Sequence, residues 1–156
     1  MRITLRPESP AADDEFVRHL VVETIAGELG AHHWPERLRS QVLGVQLATR
    51  RQGPRVSFPE GESRIILLDG QPAGWIYTAT LDDTIWLAEI MVAPEQRGKG
   101  VGSAAIRQVL ALAARSRKPV RLTVNVLNTG AIRLYERLGF RRTGGNEVQH
   151  EMEARP

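Results

Sequence analysis

The sequence predicts an α/β layered fold, a mixed and partly parallel central β-sheet flanked by helices, with the element order βααβββαβαββ. Three observations carry this. The hydrophobic period is helical between residues 12 and 45 and strand-like between 64 and 92. A strand, a glycine-rich loop, a long amphipathic helix and another strand run from Thr84 to Val126, and such a crossover joins parallel strands with right-handed sense. The chain has 156 residues, 42% of them hydrophobic and 25% charged, and no internal repeat or dividing linker, so a single domain spanning 1–156 is expected.

Taken in order, Arg2 to Arg6 reads as a strand closed by Pro7. Ala12 to Leu29 reads as a helix, because Phe16, Val17, Leu20, Val21 and Ile25 recur at helical spacing and Gly30 stops it. Trp34-Pro35 opens a second helix, with Leu38, Val42 and Val45 as its inner stripe. Gly53, Pro54, Pro59 and Gly61 make Arg50 to Glu62 a loop. Arg64 to Leu68 and Ala73 to Thr80 are strands joined by an Asp69-Gly70 hairpin turn. Thr84 to Val92 is a third strand of this group, apolar enough to be buried on both faces. A helix from Gly100 to about Arg115 follows, striped by Val101, Ala105, Ile106, Val109, Leu110 and Ala113. Val120 to Val126 alternates strictly, as a strand does. Thr129 to Leu138 is a short helix ended by Gly139, and two strands near Phe140–Thr143 and Glu147–Met152 complete the chain.

Composition removes several function classes. With no cysteine there is no disulfide framework, thiolate metal site, iron–sulfur cluster or cysteine nucleophile. No His pair has helical metal-ligand spacing, so no metal is expected. No apolar run approaches the roughly 20 residues of a membrane helix, and the N-terminus lacks a signal-peptide core, so the expectation is a cytoplasmic protein away from membranes. The formal charge of +3 comes from arginines scattered along the chain, with only small groups such as Arg50-Arg51. That is a solvated surface rather than a nucleic-acid footprint.

The sharpest local feature is Gln96-Arg97-Gly98-Lys99-Gly100-Val101-Gly102, set between a buried strand and a long helix. Alternate glycines let a backbone approach a ligand and turn successive N–H groups inward. The helix start adds partial positive charge, and Arg97 and Lys99 add full charges, a combination suited to a pyrophosphate. It is not a Walker A loop, because Gly100 follows Lys99 where Ser or Thr is needed. Nor is it a dinucleotide fingerprint, because the next strand ends in Asn125-Val126 without a carboxylate for a ribose.

Val92 to Gly102 closely resembles the acetyl-CoA pyrophosphate loop of the GNAT superfamily of N-acetyltransferases, Gln/Arg-x-x-Gly-x-Gly/Ala. Asn128-Thr129-Gly130-Ala131-Ile132-Arg133-Leu134-Tyr135-Glu136-Arg137-Leu138-Gly139-Phe140 is similar to that family's Asn-x-x-Ala-x-x-Leu-Tyr-Glu-x-x-Gly-Phe helix. The resemblance is strong from Thr84 to Phe140 and weak from Ser9 to Glu62. It implies a GNAT-like acyl-CoA N-acyltransferase fold in which the buried strand parts from its parallel neighbour and pantetheine lies between them. Backbone groups of Ile90, Met91 and Val92 would meet pantetheine and the thioester carbonyl, and amides of Arg97, Gly98, Lys99, Gly100, Val101 and Gly102 would hold the pyrophosphate. Asn128 would meet pantetheine or cap the short helix, and these are compatible. Tyr135 would face the sulfur and protonate the departing thiolate.

A base is also needed for the amine. Glu89 stands in the apolar run Leu87-Ala88-Glu89-Ile90-Met91, where a carboxylate must be paired or face a cleft, so it reads as the base or, alternatively, as one half of a structural ion pair with an arginine. His32, His33 and His150 are alternatives. Phe16, Trp34, Trp75, Tyr77 and Trp86 could line an acceptor pocket, but core or rim packing is the stronger reading for each. The expected activity is therefore transfer of acetyl from acetyl-CoA to an amine, on a small molecule or a peptide, in a ternary complex. A non-enzymatic acyl-CoA-binding module of the same fold is the alternative, and a homodimer is a further expectation of the resemblance.

Overall fold

The computed structural model describes all residues from Met1 to Pro156. The chain forms β1 (Ile3–Pro7), α1 (Pro10–Leu29), α2 (Glu36–Ser57), β2 (Glu62–Leu68), β3 (Gln71–Thr80), β4 (Ile85–Val92), α3 (Val101–Arg115), β5 (Val120–Asn125), α4 (Thr129–Arg137), β6 (Arg141–Gly145) and β7 (Gln149–Ala154). This is the order the sequence predicts. The strands make one seven-stranded sheet, β1-β2-β3-β4-β5-β7-β6. Only β4 and β5 are parallel; every other neighbouring pair is antiparallel. No helix is long and apolar enough to cross a membrane.

Alternation along the strands divides the core between the two faces. Ile65, Trp75 and Tyr77 join Val17, Leu20, Val21 and Ile25 of α1 and Leu43 of α2. Ile66, Ile76, Ile85 and Leu87 join Ala105, Ile106 and Val109 of α3, with Tyr135 and Phe140 beyond. The turn between β2 and β3 has positive φ at both Asp69 (50°) and Gly70 (85°), as a tight hairpin turn requires.

The N-terminal half departs from the expectation in α2. The helix runs through Gly53-Pro54 to Ser57, leaving only residues 58–61 as the loop expected from Arg50 to Glu62. Its inner face is also different. Leu43 is buried, while Leu38 (47% exposed) and Val45 (69%) of the expected stripe face solvent. Apolar residues occupy two faces of α2, so periodicity does not select between them. Ion pairs do. Arg50 meets Glu28 at 2.6 Å, Arg51 meets Asp14 at 2.7 Å and Arg55 meets Glu8 at 2.7 Å, turning that face of α2 onto α1 and the start of the chain. The Arg50-Arg51 group is thus largely enclosed in ion pairs, not a solvated surface feature.

The entry to α1 is fixed electrostatically. Ser9 precedes the helix without a side-chain cap, and the Asp13 carboxylate instead accepts from the Ser9 N–H at 2.7 Å. The same carboxylate takes two charge-assisted hydrogen bonds from the Arg6 guanidinium at 2.7 and 2.8 Å, tying β1 to α1. Those Arg6 bonds hold the Asp13 pKa below the ordinary carboxylate range, against its burial. A group with a lowered folded-state pKa stabilises above its unfolded pKa and loses that contribution as pH falls through the folded value. Asp13→Asn should therefore cost about 1–3 kcal/mol near neutrality. The deficit relative to wild type should shrink as pH falls below the ordinary carboxylate range, as read from urea midpoints across a pH series.

Candidate active site

The centre of the sheet is where the site forms. β4 and β5 pair only at Ile85↔Val120 and Trp86↔Arg121. Beyond that β5 continues alongside β7, with Val124 opposite His150, while β4 continues alongside β3. The two parallel strands therefore part, and β4 keeps an unpaired edge over its second half. Ala93 donates to the Ala73 carbonyl at 2.8 Å, so alternation turns Met91 toward β3 and turns Ile90 and Val92 toward the open edge. Two contacts agree with that assignment. Ile90 N–H is near its neighbour's Glu89 Oε1 at 3.2 Å, and the Val92 carbonyl accepts from Arg97 Nε at 3.0 Å.

A β-bulge reorients the middle of β4. Tyr77 is opposite Glu89 and Thr78 is opposite Leu87, leaving Ala88 as the extra residue. Ile85 and Leu87 pack on the α3 side. After the bulge, Ile90 and Val92 take that side, and Met91 faces α1 and α2. Without the extra residue Glu89 would continue the Ile85–Leu87 face into the apolar core. With it, Glu89 meets α2, where its Oε2 is 3.6 Å from Arg50 Nη2. Burial pushes the Glu89 carboxyl above the ordinary range, Glu28 adds to this, and Arg50 and the Ile90 N–H pull the other way.

At the end of β4 the glycine-rich loop feeds α3. Gly98 (φ 77°) and Gly100 (φ 80°) take left-handed backbone that other residues rarely adopt. Gly100 caps α3 without any side chain filling the cap, and the first helical bond is Ala104 N–H to the Gly100 carbonyl. The amides of Val101, Gly102 and Ser103 at the start of this 15-residue helix are thus free of intrahelical partners. Gly102 is under no such constraint. Its backbone is ordinary, and a Cβ there would touch Val92 Cγ2 at 3.6 Å, a normal contact. Arg97 and Lys99 are exposed, with Lys99 Nζ donating to Gln96 Oε1 at 3.1 Å.

Across the gap lies α4. The Asn128 side chain caps it, accepting from the Ala131 N–H at 3.2 Å. Tyr135 is the buried residue of this helix, its ring 5.7 Å from that of Phe140. Its hydroxyl makes no hydrogen bond within the protein and is not fully enclosed by it. Burial, with the Glu89 carboxylate adding to it, pushes the phenol up to about 12.

The fold thus assembles Glu89, the open edge at Ile90 and Val92, the Arg97–Gly102 loop and Tyr135 around the parting of β4 and β5. Met91 has its backbone toward β3 and its side chain in the core. His32 and His33 are exposed and stand apart from Glu89's contacts. Trp75 and Tyr77 are fully buried in the core, and Trp86 packs against Phe58 at 6.0 Å. Arg50 and Glu28 beside Glu89 carry no sequence signal: they lie 39 and 61 residues before it, and only the packing of α2 on α1 brings them there.

Residues 18–140 match the family described as Acetyltransferase (GNAT) family. An uncharacterized N-acetyltransferase of Methanocaldococcus jannaschii is 38% identical over 81 residues, a match covering 47% of this chain and 36% of that protein. The chain thus spans little more than a third of the length of that curated relative. The fold is similar to that of PaiA N-acetyltransferase from Thermoplasma acidophilum in complex with coenzyme A, with a TM-score of 0.76, 17% identity and all of both chains covered. It is also similar to a GNAT family acetyltransferase from Elizabethkingia anophelis with acetyl-CoA bound, with a TM-score of 0.64, 16% identity and 99% and 98% of the two chains covered.

The two loop glycines should respond differently to substitution. Gly100→Ala forces a Cβ onto left-handed backbone and should cost about 1–2 kcal/mol in denaturant unfolding. Gly102→Ala meets only ordinary contact and should be neutral or slightly stabilising. The Tyr135 phenol should remain protonated well beyond the ordinary tyrosine range. Ultraviolet titration of phenolate absorbance should show a late component near pH 12 that Tyr135→Phe removes.

Proposed function

The chain belongs to the acetyltransferase (GNAT) family, and from that premise we propose that it transfers acetyl from acetyl-CoA directly to a primary amine, on a small molecule or a peptide, with donor and acceptor bound together. The observation that carries this is the open edge of β4 at Ile90 and Val92, with the partnerless Tyr135 hydroxyl on one side and the loosely paired Glu89 carboxylate on the other.

The residues present fit the donor. The uncapped amides at the start of α3, the left-handed glycines and the charges of Arg97 and Lys99 suit a pyrophosphate. The open edge suits an extended amide-bearing chain, which can take up the hydrogen bonds that β5 leaves unmade. To do so at Val92 it would displace the Arg97 side chain from the Val92 carbonyl, leaving Arg97 to turn toward the phosphates. Bound there, acetyl-CoA supplies an acetyl thioester.

The protein's groups then divide the proton chemistry. Glu89 accepts the proton that the amine must lose to attack. Its raised pKa makes it a stronger base than an ordinary carboxylate while leaving it ionisable. An N–H at the open edge stabilises charge that develops on the carbonyl oxygen. Tyr135, whose proton is held past the ordinary range, donates it to the departing sulfur as the carbon–sulfur bond breaks. The raised phenol keeps this donor protonated over the working pH range.

The test has two parts. Acetyl-CoA in large excess should raise the melting temperature by mass action. A panel of amines, read by thiol release and by mass spectrometry of the acetylated product, should contain an acceptor. With that acceptor, Tyr135→Phe should bind acetyl-CoA nearly as wild type and lose turnover by about a hundredfold or more. Glu89→Gln should lose turnover at low pH and recover part of it at high pH, where more free amine is present. Acetyl-CoA binding without thiol release from any amine would favour a sensor of acyl-CoA. No binding at all would overturn the proposal.

A further inference from the structure

The Glu89 carboxylate is not alone in its pocket. On α2, Arg50 lies 3.6 Å from it, a separation of ion pairing without a hydrogen bond. The same guanidinium is bound to Glu28 of α1 through two nitrogens, Nη1 to Oε2 at 2.6 Å and Nη2 to Oε1 at 3.5 Å. Glu28 therefore holds the one short contact, through Nη1, while Nη2 lies almost equally far from Glu28 Oε1 and Glu89 Oε2. Arg50 from α2 and the Ile90 N–H touch the Glu89 carboxylate, and Glu28 on α1 and Tyr135 on α4 are near enough to interact with it electrostatically. Arg50 is the only cation in that set.

We propose that Glu28 and Arg50 are positioning residues for Glu89: by holding Arg50 through its short Nη1 contact, Glu28 prevents the guanidinium from closing onto Glu89 and so keeps that carboxylate available to take a proton. This deepens the function proposed above and rests on Glu89 being the base. A carboxylate forked by arginine is a poor base, because its charged form is stabilised and its lone pairs are occupied. A carboxylate left buried with no cation would stay protonated and be unable to act. The arrangement lies between these limits: Arg50 permits ionisation in a buried place, and Glu28 restricts how strongly. Removing either partner should therefore move Glu89 in opposite directions, which a general packing effect would not do.

The experiment needs no acceptor. Full-length protein labelled with carbon-13 at the glutamate carboxyls is titrated by NMR, with Glu89→Gln identifying the Glu89 resonance. In wild type, Glu89 should titrate above the ordinary carboxylate range. In Glu28→Gln, freed Arg50 should close onto Glu89 and its midpoint should fall by about one pH unit. In Arg50→Met, which keeps the aliphatic stem, the midpoint should rise by about one pH unit. Asp14→Asn breaks a separate contact between the two helices, Arg51 to Asp14 at 2.7 Å, and should leave Glu89 where it was. A Glu28→Gln midpoint that stays or rises overturns the proposal, and so does an equal shift in Asp14→Asn. Glu28 is about half exposed, so its variant keeps the test alive if Arg50→Met does not fold. If the titration behaves as expected but Glu89→Gln turns over an acceptor with the wild-type pH profile, then the tuning is real and the assignment of Glu89 as base is what fails.

Discussion

The parting of β4 from β5 is the constraint on which the rest of the structure depends. A parallel pair that joins at only two positions leaves backbone groups in the middle of a sheet without strand partners, and side chains reach only some of them. Such groups are normally satisfied in a folded protein, so an open interior edge needs a reason to persist. Here the surrounding elements keep it open. β3 holds one side of β4 along its whole length, and β7 draws β5 away in an antiparallel ladder of six residues. The gap is a product of strand pairing on both flanks, and the candidate site residues are brought together because they border it.

The bulge at Ala88 decides which side chain stands beside this opening. A strand has a strict two-residue period, so one inserted residue transfers everything after it to the opposite face. That single change takes Glu89 out of the apolar core beneath α3 and delivers it to the charged seam of α1 and α2. The seam is built from arginines of one helix and carboxylates before and along the other. Glu8 is almost fully buried there, shared between Arg51 and Arg55, with Ser63 donating to it and in turn accepting from Trp75. Such enclosed pairs add less net stability than their number suggests, because desolvation offsets much of the attraction. Their larger effect is on orientation: they choose which face of α2 turns inward, and so where Arg50 stands relative to Glu89.

Sequence reasoning succeeds where one local signal has one structural outcome. The glycines of the loop are legible because left-handed backbone and a bare helix start each ask for a residue without a side chain. Tyr135 is legible because its motif stands in register with the loop motif, across a strand of the expected length. The second helix is where this fails. Leu38, Val42, Val45 and Val56 make one apolar stripe, and Leu43, Leu47 and Pro54 make another, so period alone leaves two solutions. Pro54 and Gly53 also look like a break, although a proline near the end of a helix forfeits only one hydrogen bond and Phe58 still closes the last turn onto it at 2.8 Å.

By itself the sequence determined the order of elements, the parallel crossover, the glycine-rich loop at the start of a long helix, and the tyrosine that follows two elements later. Each is local: it depends on spacing within a window of a few to some forty residues, and that information is contained in the chain order. What only the tertiary structure decided is where β4 stops pairing with β5, that Ile90 and Val92 rather than Met91 face the opening, and that Glu89 looks toward Arg50 and Glu28. Those outcomes depend on one inserted residue in a ladder and on charges brought together from α1, α2 and β4. A ladder's bulge and long-range ion pairing have no signature in the spacing of a single chain, because their partners are chosen only when the layers close.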